Sequence, residues 1–119
     1  MENNKLVDLD YFKKTTGFND KDVVGFIDIF LDHSPEEIDA LELHCKEKDC
    51  EKIRGIAHKL KPRITYLGID ALYDPMDRLH SCAKEGKNME EFSGIFEEIK
   101  EVFIKVVEEL KNSKANLTS

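Results

Sequence analysis

At 119 residues, with 40% hydrophobic and 36% charged side chains but only three prolines and six glycines, the chain has the length of one domain with a single core and the scarcity of breakers that long helices need. A net charge of -7 argues against a nucleic-acid binder, whose affinity comes from clustered Lys and Arg. Cys45, Cys50 and Cys82 form no CxxC pair, which points to reduced thiols in a cytoplasmic protein, and neither a stretch of roughly 18 apolar residues nor an apolar signal core in MENNKLVDLD marks a membrane span or export.

In chain order, Asp8 is placed to cap a short helix containing Leu9, Tyr11 and Phe12, and Gly17 to end it in the left-handed conformation. From Asn19 or Asp20, Val23, Ile27, Phe30, Ser34, Ile38, Leu41 and Cys45 recur at steps of three and four and predict one long helix. Pro35 removes a backbone donor and is expected to bend it near Leu31. Asp49 caps a third helix with Ile53, Ala57, Leu60, Ile64 and Leu67 on one face, ending at Gly68.

A fourth segment spans Asp70 to Glu85, with Leu72, Met76, Leu79 and Ala83 apolar and Gly86 as its end. Asp74-Pro75 offers a second start within it. Asn88 with Glu91 three residues later reads as a capping box before a last helix carrying Phe92, Phe96, Ile99, Phe103, Val106 and Leu110, and the polar NSKANLTS tail is expected to fray. No strand-like alternation competes. The expectation is an all-α fold, an antiparallel four-helix bundle with a short extra N-terminal helix, as a single domain over residues 1–119 with its core at about 8–112.

On the third helix, with Ile53 at zero and about 100° per residue, the apolar positions fall within about 40° while His58 falls near 140°. The histidine therefore faces away from the core. Arg54, four residues earlier, and Lys61, three later, are its neighbours on the helix surface; Thr65 lies on the same side and Pro62 near 180°. An exposed imidazole offers a ring nitrogen as a nucleophile, and flanking cations attract an anion. Phosphoryl transfer to histidine asks for this combination, because its catalysis is mostly positioning and charge stabilisation.

The stretch AHKLKPRITYLG, Ala57 to Gly68, resembles the signature of histidine-containing phosphotransfer (HPt) domains, AHxLKG followed by a short stretch and LG, matching at His58, Leu60, Lys61, Leu67 and Gly68. The short first helix, the long second helix with its mid-helix proline in FLDHSPEEIDAL, and the acidic turn before the histidine helix extend the resemblance over roughly residues 8 to 110. It implies a phosphoryl carrier without kinase activity of its own, in which His58 accepts the group from a receiver-domain aspartate of a response regulator and passes it to another within a multistep phosphorelay. Lys61 would contact the phosphoryl oxygens, and Gly68 would be structural. Roles for Arg54 and Thr65 beside the phosphoryl group are expectations from helix geometry.

One departure is Pro62, where the family has a glycine thought to let a receiver approach closely. It keeps a rival in view: a non-catalytic receiver-binding adaptor that uses the Arg54, Lys61 and Pro62 surface only to hold its partner. Either reading predicts a monomer with response-regulator receiver domains as partners, a hybrid histidine kinase as a further candidate, no nucleic acid and no membrane. No cofactor is expected on this chain; Mg²⁺ would sit in the receiver. His33, His44 and His80 lack the paired spacings of metal-binding bundles, and Asp77-x-x-His80 reads as a solvated face.

Overall fold

The computed structural model describes residues 5–118; the first four residues of MENNKLVDLD and Ser119 of the tail lie outside them. Five α-helices account for most of that span: α1 Leu9–Thr16, α2 Asp20–Glu47, α3 Cys50–Tyr66, α4 Asp70–Glu85 and α5 Phe92–Thr118. There is no strand among the described residues. No described helix is long and apolar enough to cross a membrane.

The first three helices start where local chemistry places them. Asp8 accepts from the Tyr11 N–H at 2.9 Å, and Asp49 accepts from that of Lys52 at 3.2 Å. Asn19 and Asp22 form a reciprocal box, with Asn19 Oδ1 accepting from the Asp22 N–H at 2.8 Å and Asp22 Oδ2 accepting from the Asn19 N–H at 3.3 Å. Each such cap satisfies a donor that the first turn leaves unpaired. At the other ends, Gly17 and Gly86 take the left-handed conformation. The helix α2 continues through Pro35 to Glu47 without a break.

The apolar stripes close a single core. The helix α2 packs against α3 and α5, and α4 packs against the same two, so the four long helices form a ring of contacts; α1 lies against α3. Val23, Ile27, Phe30 and Leu41 of α2, Ile53, Ala57, Leu60 and Ile64 of α3, Leu72, Met76 and Leu79 of α4, and Phe92, Ile99, Val106 and Leu110 of α5 are all buried. Ser34 is buried among them and its hydroxyl accepts from Arg63, whose guanidinium also pairs with Glu37, tying α2 to α3.

Three expectations need correction. The helix α4 begins after Ile69 with no side-chain cap and runs through Pro75, so Asp74-Pro75 is interior and does not restart it. Pro75 is itself buried, and its ring contributes packing where its missing N–H removes a bond. Asn88 makes no capping box: it sits at φ 55°, its side chain caps nothing, and its backbone carbonyl accepts from the Glu91 N–H at 2.9 Å, opening a 3₁₀ turn over Met89–Glu91 that leads into α5. The tail stays helical to Thr118. Leu117, seven residues beyond Leu110, prolongs the apolar stripe and packs on the core, while Lys114 pairs with Asp28 of α2 at 2.5 Å.

The segment before α1 is fastened at two points. The Leu6 and Val7 N–H groups both donate to the Glu109 carboxylate of α5, each at 2.8 Å, and the Asp8 N–H donates to the Leu67 carbonyl at 2.8 Å. The second contact brings α1 onto the C-terminal end of α3, where the sequence motif also ends.

Candidate functional site

The helix α3 buries Ile53, Ala57, Leu60 and Ile64, and that stripe forces His58 onto the opposite, exposed surface. There it lines an open cleft of about 420 Å³ with Lys61, Pro62, Thr65 and Tyr66 of its own helix and Tyr73 and His80 of α4. Of the residues singled out in the sequence, His58, Lys61, Pro62 and Thr65 therefore come together. Arg54 does not join them: it is exposed one turn earlier, outside the residues that line the cleft.

Lys61 lines the same cleft as His58, and its charged end is tied to the neighbouring helix. Its side chain is 20% exposed and reaches across to α4, where Nζ donates to Asp77 Oδ1 at 2.7 Å and lies 3.2 Å from His80 Nδ1 and 5.5 Å from the centre of the Tyr73 ring. The hydrogen bond to Asp77 is the main reason its ammonium is held above the ordinary lysine range, against the partial desolvation that works the other way. A charged lysine with three donors is thus fixed in one wall of the cleft. His80 is pushed below the ordinary histidine range, first by burial and then by the positive charge of Lys61. Asp77-x-x-His80 is accordingly no idle solvated face: Asp77 pairs with Lys61, and His80 Nδ1 lies 3.2 Å from the same ammonium.

Thr65 is present in the cleft, but its hydroxyl hydrogen is committed: Oγ1 donates to the Lys61 carbonyl one turn back at 2.9 Å. Such back-bonding is the usual fate of a threonine inside a helix. The expected donor to a bound anion is therefore already engaged within α3. Pro62 is accommodated inside the helix, which continues to Tyr66; having no N–H, it offers none to the His58 carbonyl four residues earlier.

The end of the motif shapes the floor beside the cleft. Gly68 sits at φ 65°, with its N–H donating to the Thr65 carbonyl at 3.1 Å and the Ile69 N–H to the Ile64 carbonyl at 3.1 Å. These paired bonds are a Schellman ending, which needs a left-handed residue at this point. A Cβ on Gly68 would stand 2.9 Å from Cβ of Asp8, so the glycine also lets α1 close over the end of α3. Tyr66, half exposed on the cleft rim, continues into an aromatic row: its ring lies 6.4 Å from Phe26, which lies 4.8 Å from Phe12.

Tyr66, Tyr73, Asp77 and His80 are the members of the site that the sequence reading left out. Asp77 and His80 carried a signal, because i,i+3 spacing puts them on one face of α4; their partner on α3 was what the sequence did not display. Among the described residues no group of three or more His, Cys, Asp or Glu side chains is arranged to hold a metal ion.

A protein-family model described as the Hpt domain matches residues 25–113, which contain α3, α4 and most of α2 and α5. No curated protein and no solved structure matches the chain.

Proposed function

We propose that this chain, which belongs to the Hpt domain family, carries a phosphoryl group on His58 between receiver-domain aspartates of a multistep phosphorelay. Membership of the family implies histidine phosphotransfer in general and receiver domains as partners, with the chain acting as a phosphocarrier and not as a kinase. The observation that carries the assignment to His58 is its exposed position in a cleft whose wall holds the charged Lys61. The same reading takes the four long helices as an antiparallel bundle, whose packed interior gives α3 a rigid back against which the imidazole is presented.

In the proposed step a ring nitrogen of His58 attacks the phosphorus of an aspartyl phosphate in line. The N–P bond forms as the bond from phosphorus to the carboxylate oxygen breaks, the aspartate leaves as a carboxylate, and the ring proton passes to solvent. The moving charge lies on the three equatorial oxygens, so the chain's contribution is electrostatic and positional. Lys61 supplies the positive end. Asp77 offsets part of that charge and in return fixes where it sits, while Mg²⁺ belongs to the receiver's acidic site.

Substituting His58→Gln is expected to abolish acceptance from a phosphorylated receiver while leaving the fold intact, because the side chain is exposed; transfer persisting in that variant refutes the assignment. Lys61→Ala should slow transfer roughly tenfold or more with docking still detectable. A second reading is favoured by Pro62 in the position of the family's glycine: a receiver-binding adaptor that transfers nothing. The two differ in one product, since only the carrier yields an acid-labile, base-stable phosphate on His58.

A further inference from the structure

We infer that His80 is a positioning residue for Lys61: the neutral ring accepts a hydrogen from the Lys61 ammonium at Nδ1, holds that charge in the wall of the His58 cleft, and loses its hold when the ring takes up a proton. This rests on the reading of His58 as the phosphoacceptor and adds to it a residue on a second helix and a dependence on pH.

The geometry selects the protonation state. Lys61 Nζ lies 3.2 Å from His80 Nδ1, and an ammonium has only hydrogens to give, so the contact is a hydrogen bond only if Nδ1 carries a lone pair and the ring proton sits on Nε2. Asp77, 2.7 Å from the same Nζ, anchors Lys61 but also cancels charge. A neutral imidazole anchors it without cancelling any. Together the two contacts tie the ammonium to α4, and His80 itself lines the cleft that contains His58.

The surroundings keep the ring neutral around pH 7. Lys61 and His58 reach it from α3, Lys84 and Asp77 from its own helix; burial and the three basic groups push its proton affinity down, and Asp77 alone among them opposes. The helix α5, on the other flank of α4, meets it through a separate pair in which Arg78 donates to Glu98 at 2.6 Å. Acid therefore acts on the contact between His80 and Lys61. Once protonated, Nδ1 offers a hydrogen where it had offered a lone pair, and two like charges face each other.

Two measurements on the full chain decide the matter. The first follows phosphorylation of His58 by phosphoramidate, whose P–N bond breaks as the histidine N–P bond forms and ammonia leaves, between pH 5 and pH 8. At pH 7.5 His80→Gln, which keeps an acceptor but does not titrate, is expected within about twofold of the wild type, and His80→Ala about three- to tenfold slower. As the pH falls, the wild-type rate divided by the His80→Gln rate should drop at least threefold. A flat ratio, or an unimpaired His80→Ala, overturns the inference.

The second uses ¹⁵N ring resonances and needs no phosphoryl group. His80 should be in the Nε2–H tautomer at pH 7.5, and Lys61→Met should raise its titration midpoint; the opposite tautomer, or an unmoved midpoint, also overturns it. If no variant is ever phosphorylated, the carrier reading fails by itself, and the ring measurement still decides whether His80 holds Lys61.

Discussion

Replacing Gly68 by alanine should cost far more than the same change at Gly17, although both glycines have positive φ, 65° and 77°. Each variant forces an L-residue into the left-handed region, at about 1–2 kcal/mol. At Gly17 nothing lies within 4 Å of the added methyl, so that strain is the whole expected loss. At Gly68 the methyl arrives 2.9 Å from Cβ of Asp8, an atom that cannot swing aside because its residue caps α1 and its N–H is bonded to the Leu67 carbonyl. Relief requires moving the start of α1, which weakens a hydrogen bond of about 1 kcal/mol and disturbs packing by about 1–3 kcal/mol. A total of about 2–6 kcal/mol follows for Gly68→Ala. Asp8→Gly gives the test its internal control: it removes the opposing Cβ and, as a cap, glycine costs only a few tenths of a kcal/mol. Urea unfolding of the two single variants and the double variant should therefore reveal a favourable coupling of at least about 1 kcal/mol. Equal losses at Gly17 and Gly68 with no coupling to Asp8 would refute the close-approach argument.

Glu109→Ala should release the N-terminal segment, because two part-buried N–H groups lose a charged acceptor at once; a loss of about 2–4 kcal/mol and faster amide exchange at Leu6 and Val7 are expected, and unchanged exchange there would count against the clamp. The three thiols should separate in a labelling experiment: burial, with the nearby negative charge of Glu42, pushes Cys45 up to about 12, so Cys50 and Cys82, both partly exposed, should react in the folded protein and Cys45 only on unfolding. Gly25→Ala and Gly94→Ala lie inside helices with open space around the new methyl, and each should raise stability by about 0.5–1 kcal/mol in the same urea assay.

How far the sequence discloses the fold depends on the range of the interaction that decides each feature. The caps at Asp8, Asn19 and Asp49 act over three residues, and the apolar stripes repeat over three or four, so α1, α2 and α3 could be read with nearly correct ends. The start of α5 could not, because Asn88 takes a positive φ that no neighbouring side chain announces; once it does, the backbone carbonyl occupies the place expected for the side-chain cap. The tail departs from its local preference for a different reason. Its composition is polar, but stability there comes from Leu117 on the core and from Lys114 meeting Asp28 on another helix, and tertiary contacts override weak local preference.

The site divides along the same line, and the division bears on its chemistry. That His58 stands outside the core follows from the period of α3 alone, and so does the proximity of Pro62 and Thr65. Where the Lys61 charge goes does not follow, because it depends on which face of α4 meets α3. On α3 alone, Arg54 and Lys61 are two cations flanking one imidazole; with α4 in place, Arg54 lies outside the cleft, and Lys61, which still lines it, is bonded to Asp77 and lies 3.2 Å from His80 Nδ1. The difference is physical, since a loose lysine must be ordered when the anion arrives, whereas one already held by a carboxylate and a ring nitrogen has lost that freedom on folding. The cost of this arrangement is the charge that Asp77 cancels. Under the proposed carrier reading, a site so built gives up some attraction at long range for a positive group in a fixed place, an exchange suited to a phosphoryl group in transit and not to one tightly bound.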